Sequence, residues 1–383
     1  METFRAEAGP EPASATNMSE ALISLQHLSS NVAALQQKLD GNAAIMGIVK
    51  ANAYGHNVHR VAATLEAAGI NQFGVANIFE AMELKQGGSL KQPSTILAFS
   101  SPLPSHIPHY LNNDIDMTLC DTSILGAARE IAATRNKRLR VQVKIDTGMG
   151  RLGIAANKAM DLLREIDATP SLDLTGIYTH FAESATNPAF TRQQLTTFTA
   201  LTKAYERERG KKICKHAANS GAILSCRDSW LDMVRPGILL YGYHPSKQPD
   251  EPLTIRPVMQ MTAKVIYLKQ VETGTSISYN RTWYAPARHW IATIAAGYAD
   301  GYARALSGKT MIMINGKLYP QAGIITMDQL MVDLGPTLNV RVGDTAILFG
   351  WNGPSASELA ALSGTICYET LCSVSSRVKR IFI

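Results

Sequence analysis

The feature that most constrains the fold is a unit that recurs eight times between about residues 20 and 245. Each unit begins with a short apolar run, and a segment with apolar residues at three- and four-residue spacing follows in most units. The apolar runs cover residues 44–49, 73–78, 95–99, 117–120, 139–145, 174–179, 213–216 and 233–234. Strands that alternate with helices form a parallel sheet with right-handed crossovers. Eight units in about 225 residues are typical of the α/β fold called a (β/α)8 or TIM-type barrel.

A doubly wound open sheet is the alternative interpretation of the same pattern. Such sheets usually have fewer strands, and no G-x-G-x-x-G motif follows the first apolar run here. Helical spacing is clear at residues 58–68, 121–134, 155–168, 190–209 and 220–227. The last apolar run has only two residues, so it becomes a strand only if tertiary packing makes it one. The sequence therefore favours the barrel.

After about residue 250 the pattern changes to strand-like runs separated by turn signals. The runs cover residues 259–269, 290–296, 310–314, 331–334 and 344–349, and Asn-Gly dipeptides stand at 315–316 and 352–353. Only residues 357–362 show a clear helical pattern. We therefore predict a disordered leader at residues 1–17, a barrel at 18–252 and a mostly-β C-terminal domain at 253–383, with the boundary in the polar stretch 250–256.

Composition excludes several classes of protein. Hydrophobic residues make up 46% of the chain and charged residues 18%, which is typical of a chain with a large core. The excess of Lys and Arg is only six, and these residues are scattered rather than gathered on a nucleic-acid-binding face. No apolar run is long enough to span a membrane, and residues 1–17 do not resemble a signal peptide. Five cysteines without a C-x-x-C pair fit a reducing compartment, so we expect a cytoplasmic protein.

The residues that follow the apolar runs define a candidate site, because barrel active sites lie at the C-terminal ends of the strands. The polar and glycine positions there are Lys50, Tyr54, Lys144, Asp146, Arg151, His180, His216, Asn219, Ser220, Arg235 and Gly237. Asp146 is nearly the only carboxylate among them, so the mouth of the barrel suits an anionic ligand better than a metal ion.

Lys50 is the sharpest signal, since it follows a wholly apolar strand. Partial desolvation lowers the pKa of a lysine and makes its amine able to form a Schiff base. The alternative is a lysine that reaches from the strand end to solvent. The Arg235-Pro236-Gly237-Ile238 turn and Ser220 suit a phosphate cup, although an ordinary turn and helix start would look the same. A reactive lysine together with a phosphate cup indicates pyridoxal phosphate (PLP).

Three further side chains have two interpretations each. Arg151 follows a Gly-Met-Gly turn, so it is either a ligand of a substrate carboxylate or a surface arginine. His180 is either a site residue or a satisfied core histidine. Lys144 faces the barrel interior, where an unpaired ammonium group is costly, so it needs an anionic partner or a chemical modification.

The motifs around these residues resemble those of the PLP-dependent alanine racemases of bacteria. They are VKANAYGH at Lys50, KIDTGMGRLG at Lys144 and Arg151, THFA at His180, HAANSGA at Ser220, VRPGILLYG at Arg235, SISYNRTW at Tyr279, AAGYADGYAR at Tyr298 and Arg304, ITMDQ at Met327, and CYETL at Tyr368. The resemblance runs from about residue 23 to the C-terminus. It is specific because the motifs span both predicted domains in the order of the family.

The resemblance implies an enzyme that interconverts L-alanine and D-alanine, supplies D-alanine for peptidoglycan and contains no metal. It also implies a head-to-tail homodimer, in which the second domain of one subunit completes the active site of the other. Lys50 would hold PLP and act as the base on the D-enantiomer, and Tyr279 of the partner subunit would act on the L-enantiomer.

The resemblance assigns roles to the remaining motif residues. The cofactor would be bound by Tyr54, His180, Asn219, Ser220, Arg235, Gly237, Ile238 and Tyr368, with Arg235 at the pyridine nitrogen. Arg151 and Met327 would contact the substrate, and Tyr298 and Arg304 would line the substrate corridor. Lys144 matches a position that is often carbamylated.

Four positions depart from the pattern of the family. Asn280 stands where Gly commonly follows the catalytic Tyr, and Gly221 replaces the usual Ala after Asn-Ser. Ala185 and Ile324 stand at or near corridor positions that usually hold an acid and an arginine. These last two departures put the corridor, not the chemistry, in question.

Three alternative functions stay open at this point. A broad-specificity or serine racemase would share the fold. A PLP-dependent decarboxylase is disfavoured by Arg235, because those enzymes place an acid at the pyridine nitrogen. A non-catalytic PLP carrier is disfavoured by the second domain, because such proteins resemble the barrel alone.

Overall fold

The computed structural model describes residues 17–246 and 253–383. The predicted leader lies outside the described residues except for Asn17, and so does part of the predicted boundary stretch.

The described strands follow one another along the whole chain. They are β1 Ser19–Ile23, β2 Ala44–Ile48, β3 Gln72–Val75, β4 Thr95–Ala98, β5 Asp116–Leu119, β6 Leu139–Asp146, β7 Ile154–Ala155, β8 Leu172–Tyr178, β9 Cys214–His216, β10 Met233–Val234, β11 Met259–Val271, β12 Ser276–Ile277, β13 Trp283–Tyr284, β14 His289–Ile294, β15 Met311–Ile314, β16 Lys317–Ala322, β17 Leu330–Gly335, β18 Thr345–Phe349 and β19 Lys379–Phe382.

The described helices are concentrated in the first two thirds of the chain. They are α1 Leu25–Leu39, α2 Lys50–Tyr54, α3 Val58–Ala67, α4 Ile78–Gln86, α5 Ile107–Asn113, α6 Leu125–Thr134, α7 Ala159–Asp167, α8 Pro188–Arg209, α9 Ser220–Ser225, α10 Ala356–Ser363 and α11 Cys367–Ser373.

Parallel strands form the barrel predicted from the apolar runs. Their order is β10-β2-β3-β4-β5-β6-β8-β9, and an isolated parallel bridge between Asn219 and Arg235 links the two ends of this path. Most residues of these strands are buried, which explains why they read as continuous apolar runs rather than as alternating ones. Even the two-residue run becomes a strand, because Met233 and Val234 pair with β2. The prediction of a (β/α)8 barrel followed by a mostly-β domain is confirmed.

The second sheet is antiparallel where β11 and β14–β18 pair with one another. Its order is β14-β17-β16-β15-β18-β11-β1-β19. Strand β14 also pairs with β11, so these described strands close into a ring that has no free edge between them. Alternating burial along β17 shows the period of two expected of a sheet with one packed face.

The described chain divides into two compact units. The barrel unit comprises residues 23–246, 253–259, 365–373 and 382–383, and the second unit comprises residues 17–22, 260–364 and 374–381. This division differs from the predicted one at both ends of the predicted barrel and near the C-terminus. Residues 18–22 were predicted in the barrel but belong to the second unit, because β1 joins its sheet. Residues 253–259, helix α11 and residues 382–383 were predicted in the C-terminal domain but belong to the barrel unit.

Candidate active site

The C-terminal ends of the barrel strands line a cavity of about 560 Å³. The residues predicted from the sequence that line it are Lys50, Tyr54, Lys144, Arg151, His180, Asn219, Ser220, Arg235, Gly237, Ile238 and Tyr368. Tyr368 joins them from helix α11, far along the chain. The structure thus brings together the predicted site residues that lie in the barrel unit.

Lys50 follows β2 and begins a turn of unusual handedness. Residues 51–54 have φ angles between 51° and 54°, so they form a left-handed turn without a single glycine. Each such residue costs roughly 1–2 kcal/mol relative to the right-handed conformation. The Glu80 carboxylate stabilises the turn, because Oε1 accepts from Ala51 N–H at 2.9 Å and Oε2 accepts from Ala76 N–H at 2.7 Å. The turn places Tyr54, four residues after Lys50, on the lining of the same cavity.

The Lys50 amine sits in an environment that disfavours its charge. Although the residue is exposed to the cavity, partial burial among protein atoms lowers its pKa below the ordinary value. Repulsion by Arg151 lowers it further, whereas Glu80 and Cys372 oppose the shift. A larger neutral fraction makes the amine a better nucleophile and a better base at neutral pH.

The wall formed by the ends of β9 and β10 is joined by hydrogen bonds between backbone N–H groups and polar side chains. Ser220 Oγ accepts from Gly237 N–H at 2.9 Å, and Asn219 caps helix α9 by accepting from Ala222 N–H at 3.1 Å. A side chain at Gly237 would collide with Tyr54 Oη, which would lie only 2.5 Å from its Cβ. Glycine is therefore required for the close approach of the turn to Tyr54.

Tyrosine rings enclose one side of the cavity. The Tyr54 ring lies 4.6 Å from that of Tyr241 and 6.0 Å from that of Tyr368, measured between centroids. Burial raises the pKa of Tyr54 and of Tyr368 well above that of a free phenol. Both side chains therefore keep their hydroxyl protons and can donate hydrogen bonds to an anion.

Arg235 is held from several sides and is 3% exposed. Its NH1 donates to His216 Nδ1 at 2.7 Å, and its NH2 donates to the carbonyl oxygens of Thr179 at 2.7 Å and Ala217 at 2.9 Å. Burial lowers the pKa of Arg235 to about 10, which leaves the guanidinium charged at neutral pH. The charge is therefore fixed in place and in orientation.

Positive charges crowd the remaining part of the cavity. Burial first, and then Arg151 and Arg235, lower the pKa of Lys144 to about 8. Burial and the neighbouring cations also hold the pKa of His180 well below its ordinary value, so its ring is neutral at pH 7. The Lys144 ammonium lies 5.9 Å from the Tyr178 ring centroid. This concentration of positive charge agrees with the expectation of an anionic ligand.

The predicted site residues of the second unit lie on three of its loops. Tyr279 is in the turn between β12 and β13 and is 68% exposed. Tyr298 and Met327 lie on neighbouring segments, because Tyr298 N–H donates to Thr326 O and Ala299 N–H donates to Met327 O, both at 3.0 Å. Arg304 is exposed and follows Tyr298 on the same loop.

Comparison with known proteins identifies the chain. Residues 23–245 match the N-terminal domain of alanine racemase, and residues 258–382 match its C-terminal domain. The chain belongs to the alanine racemase family. Members of this family are PLP-dependent isomerases, as the resemblance implied.

Relatives and solved structures agree across the whole chain. The chain is 57% identical to an alanine racemase of Chlorobaculum tepidum, over 96% of each chain. It is 37% identical to an alanine racemase of Treponema denticola, over 95% of this chain and 98% of the relative. The alanine racemase of Clostridium difficile 630 superposes with a TM-score of 0.91 at 35% identity, over 97% of each chain.

Two departures from the alanine racemase motifs have local explanations in the structure. Asn280 has a φ angle of 58°, which glycine adopts freely and asparagine adopts more easily than other residues. A Cβ at Gly221 would overlap Ser184 Oγ, which donates to Asn219 Oδ1 at 2.5 Å. Gly221 therefore makes room for a serine that holds the helix cap.

The two corridor departures lie in different units. Ala185 lines the barrel cavity beside Glu183 and Ser184. Ile324 accepts a hydrogen bond at 2.6 Å from Ser278 Oγ, next to Tyr279, through its carbonyl oxygen. The side chains at these two positions carry no charge, so neither can form an ion pair at the corridor.

Two residues important to this site were missed by sequence reasoning. Glu80 lies within helix α4 and reaches the turn after Lys50 by accepting a hydrogen bond from Ala51 N–H. Tyr178 directly precedes the THFA motif, and its ring is stacked on His216 at 4.9 Å with an interplanar angle of 5°. Its position at the end of an apolar run was the one available signal.

Among the described residues, no group of three or more His, Cys, Asp or Glu side chains is placed to hold a metal ion. Over the same ranges, no helix is both long enough and apolar enough to cross a membrane.

Proposed function

We propose that this chain racemises alanine with PLP bound in the barrel cavity. The observation that carries the proposal is the Lys50 amine, whose pKa is lowered, in a cavity that also contains the Ser220–Gly237 wall and the Arg235 guanidinium. The family membership supports the reaction, and the cavity supports the cofactor.

The residues of the cavity fit PLP in charge and in shape. Ser220, Gly237, Ile238, Tyr54 and Tyr368 would hold the phosphate, because they offer backbone N–H groups and protonated hydroxyls around a position where a Cβ cannot be accommodated. Asn219 would hold the start of helix α9 against the same group.

The ring of the cofactor would lie among the buried residues. Arg235 would face the pyridine nitrogen, and His180 would lie beside the ring. A guanidinium cannot readily give up a proton, so Arg235 would leave that nitrogen a weaker electron sink than a carboxylic acid would. When bound, PLP supplies an electrophilic aldehyde and a conjugated ring that withdraws electrons from the substrate α-carbon.

Two bases on opposite faces of the α-carbon account for reaction in both directions. Lys50 would take the proton of the D-enantiomer, and Tyr279 of the partner subunit would take that of the L-enantiomer. Arg151 would bind the substrate carboxylate beside that phenol, and Met327 of the partner subunit would contact the substrate through its backbone. Tyr298 and Arg304 of the partner subunit would line the corridor.

A head-to-tail homodimer is part of this proposal. It is supported by the exposure of Tyr279, Tyr298 and Met327, three large side chains whose assigned role is at a site. A partner subunit that covers these side chains would account for their exposure.

Lys144 would be carbamylated in the active protein. Carbon dioxide adds to the neutral amine with loss of one proton, and a pKa of about 8 gives Lys144 an appreciable neutral fraction at physiological pH. The resulting anion would pair with Arg151 and relieve the repulsion among the cavity cations. We also propose that the protein is cytoplasmic and that its D-alanine is used for peptidoglycan.

A Lys50→Ala substitution tests the proposal. We expect the purified protein to carry visible absorbance from bound PLP and to racemise alanine in a chiral assay. Lys50→Ala should lose both the absorbance and the activity, whereas the exposed Lys203→Ala should keep both. Unchanged colour and turnover in Lys50→Ala would contradict the proposal. Serine turnover comparable to that of alanine, in a panel of L-amino acids, would assign the broad-specificity alternative.

A further inference from the structure

A row of hydrogen bonds crosses the barrel interior from Arg235 to the opposite end of the sheet. Arg235 NH1 donates to His216 Nδ1 at 2.7 Å, His216 Nε2 lies 2.8 Å from Gln142 Oε1, and Gln142 Nε2 donates to Asp116 Oδ2 at 2.8 Å. All four side chains are at most 4% exposed. Asp116 is the first residue of β5, so it lies at the end of the strands away from the cavity.

The Asp116 carboxylate fixes the orientation of the Gln142 amide. An ionised carboxylate only accepts hydrogen bonds, and Asp116 also accepts from Arg140 Nε at 2.6 Å and from Thr175 Oγ1 at 2.8 Å. Gln142 must therefore turn its NH2 group toward Asp116. Its carbonyl oxygen, which can only accept, then faces His216.

This orientation leaves His216 one allowed tautomer. Since Gln142 Oε1 accepts, His216 Nε2 carries the hydrogen. Burial and Arg235 hold the pKa of His216 well below its ordinary value, so the ring is neutral and Nδ1 is free to accept from Arg235. Tyr178 stacks parallel on the His216 ring and opposes its rotation. Every donor in the row thus points toward Asp116.

Gly176 makes room for this arrangement. A Cβ at this position would lie 2.9 Å from Gln142 Oε1, and the pairing of β6 with β8 shifts register between Val141 and Gln142. The amide group of Gln142 occupies the space that a side chain at position 176 would fill.

We propose that Asp116 is a positioning residue for Arg235, because it selects the His216 tautomer that accepts a hydrogen bond from the guanidinium. The assignment of what Arg235 faces rests on the proposed function. The tautomer itself is a property of the protein alone.

An Asp116→Asn substitution should reverse the direction of the hydrogen bonds in the row, while the side chain at position 116 keeps nearly the same size. The new amide must offer its oxygen to Arg140 Nε–H, so its NH2 group faces Gln142. The Gln142 amide then flips and presents NH2 to His216 Nε2. The His216 hydrogen moves to Nδ1, opposite the NH1 donor of Arg235, and that hydrogen bond is lost.

A second substitution should restore the wild-type direction of the hydrogen bonds in the row. In Asp116→Asn/Gln142→Glu, the carboxylate at position 142 accepts from His216 Nε2–H and from the new NH2 group at position 116. Gln142→Glu alone would place two carboxylates face to face, so only the double variant is expected to recover. Asp173→Asn is the matched control, since Asp173 is an exposed carboxylate near the same end of the barrel and pairs with Arg138.

The test measures the two ring nitrogens of His216 in apoprotein carrying 15N-labelled histidine, with His216→Gln used to assign the signals. We expect a protonated Nε2 and an unprotonated Nδ1 in the wild type, in Asp173→Asn and in the double variant. Asp116→Asn should show a protonated Nδ1. In the loaded enzyme, Asp116→Asn should shift the visible absorbance and lower kcat by about tenfold, as loss of a supporting hydrogen bond often does.

Three results would overturn the proposal. One is a wild-type His216 that is protonated on Nδ1. The second is an Asp116→Asn variant that keeps the wild-type tautomer while losing only thermal stability, which would mean a merely structural role. The third is a double variant with the same tautomer as Asp116→Asn. If Asp116→Asn fails to fold, the His216 tautomers of the wild type and of the double variant still test the proposal. If the tautomers behave as expected but no racemase activity is found, the proposed function fails and this inference stands.

Discussion

The barrel cavity and the exposed loops of the second unit hold the two halves of the proposed chemistry under opposite conditions. In the cavity, Lys144 and Arg235 are nearly fully buried, burial lowers the pKa of both, and Arg235 lowers that of Lys144 further. In the second unit, Tyr279 and Met327 are 68% and 52% exposed. The cavity is therefore organised within one chain, whereas the loops present exposed side chains that, in the proposed dimer, the partner subunit would cover.

The two proposed bases, Lys50 and Tyr279, therefore have different surroundings in a single chain. Lys50 already occupies a cavity that lowers its pKa. Tyr279 lies in an exposed turn, and Ser278 Oγ ties that turn to a neighbouring loop by donating to Ile324 O. Substitutions in the cavity or in the loops, made one region at a time, test this difference.

The largest effect is expected from Tyr279→Phe. The variant should keep PLP and its colour, because the cavity is untouched, but turnover should fall by about 10²–10⁴-fold with the loss of one acid–base group. The measurement is a chiral rate assay in both directions beside an absorbance spectrum. Tyr284→Phe, which changes an exposed ring in the same region, should be nearly normal. Normal rates in Tyr279→Phe would remove it as a base.

Mixed dimers should recover part of the lost activity. In a dimer of Lys50→Ala with Tyr279→Phe, one of the two sites contains both intact residues if each site is shared between subunits. Random exchange of equal amounts should therefore restore about a quarter of the wild-type activity. The measurement is activity against time after mixing, with exchange verified by mass-tagged subunits. Complete exchange without recovery would place both residues in the same chain.

Acid should destabilise the barrel more than the loops. The pKa of the buried His216 is lowered in the folded state, so below about pH 6.5 the unfolded chain binds more protons and stability falls as the pH falls. The expected loss between pH 7.5 and 5.5 is about 1–2 kcal/mol, and His180 adds to it. Denaturant unfolding at several pH values measures it. The slope should shrink in His216→Gln but not in His106→Gln, and equal slopes would contradict the assignment.

The smallest effect is expected from Asn280→Gly. Because Asn280 already has a φ of 58°, glycine fits the same turn, and kcat/KM should stay within about threefold of the wild type. Asn280→Val is the informative contrast, since a β-branched residue disfavours this conformation and should displace Tyr279. Equal activity in the two variants would show that the turn does not position the phenol.

Sequence reasoning located the strands well because buried parallel strands are continuous apolar runs. It failed where two elements abut. The predicted strand at 73–78 is too long, since Asn77 caps helix α4 and Ile78 begins it. Helix α1 was missed although Leu28, Val32 and Leu35 lie at helical spacing after a Ser24 cap, so that signal was available.

The site was predictable only in part. Lys50 and Arg235 were found because each directly follows a strand. The roles of Glu80 and Asp116 could not be found, because they depend on hydrogen bonds to groups that are distant in the sequence. Glu80 accepts from the N–H group of Ala51, and Asp116 sets the orientation of the Gln142 amide. No local rule predicts that Ala51, Ala53 and Tyr54 adopt a left-handed conformation without a glycine.

The left-handed turn after Lys50 has a consequence for how the protein comes apart. Four residues in a disfavoured conformation persist only while Glu80 and the surrounding fold hold them there. When denaturant loosens that support, the turn can relax to the right-handed form without disturbing the strands. We therefore expect the pocket to lose its shape, and to release whatever it holds, before the sheet melts.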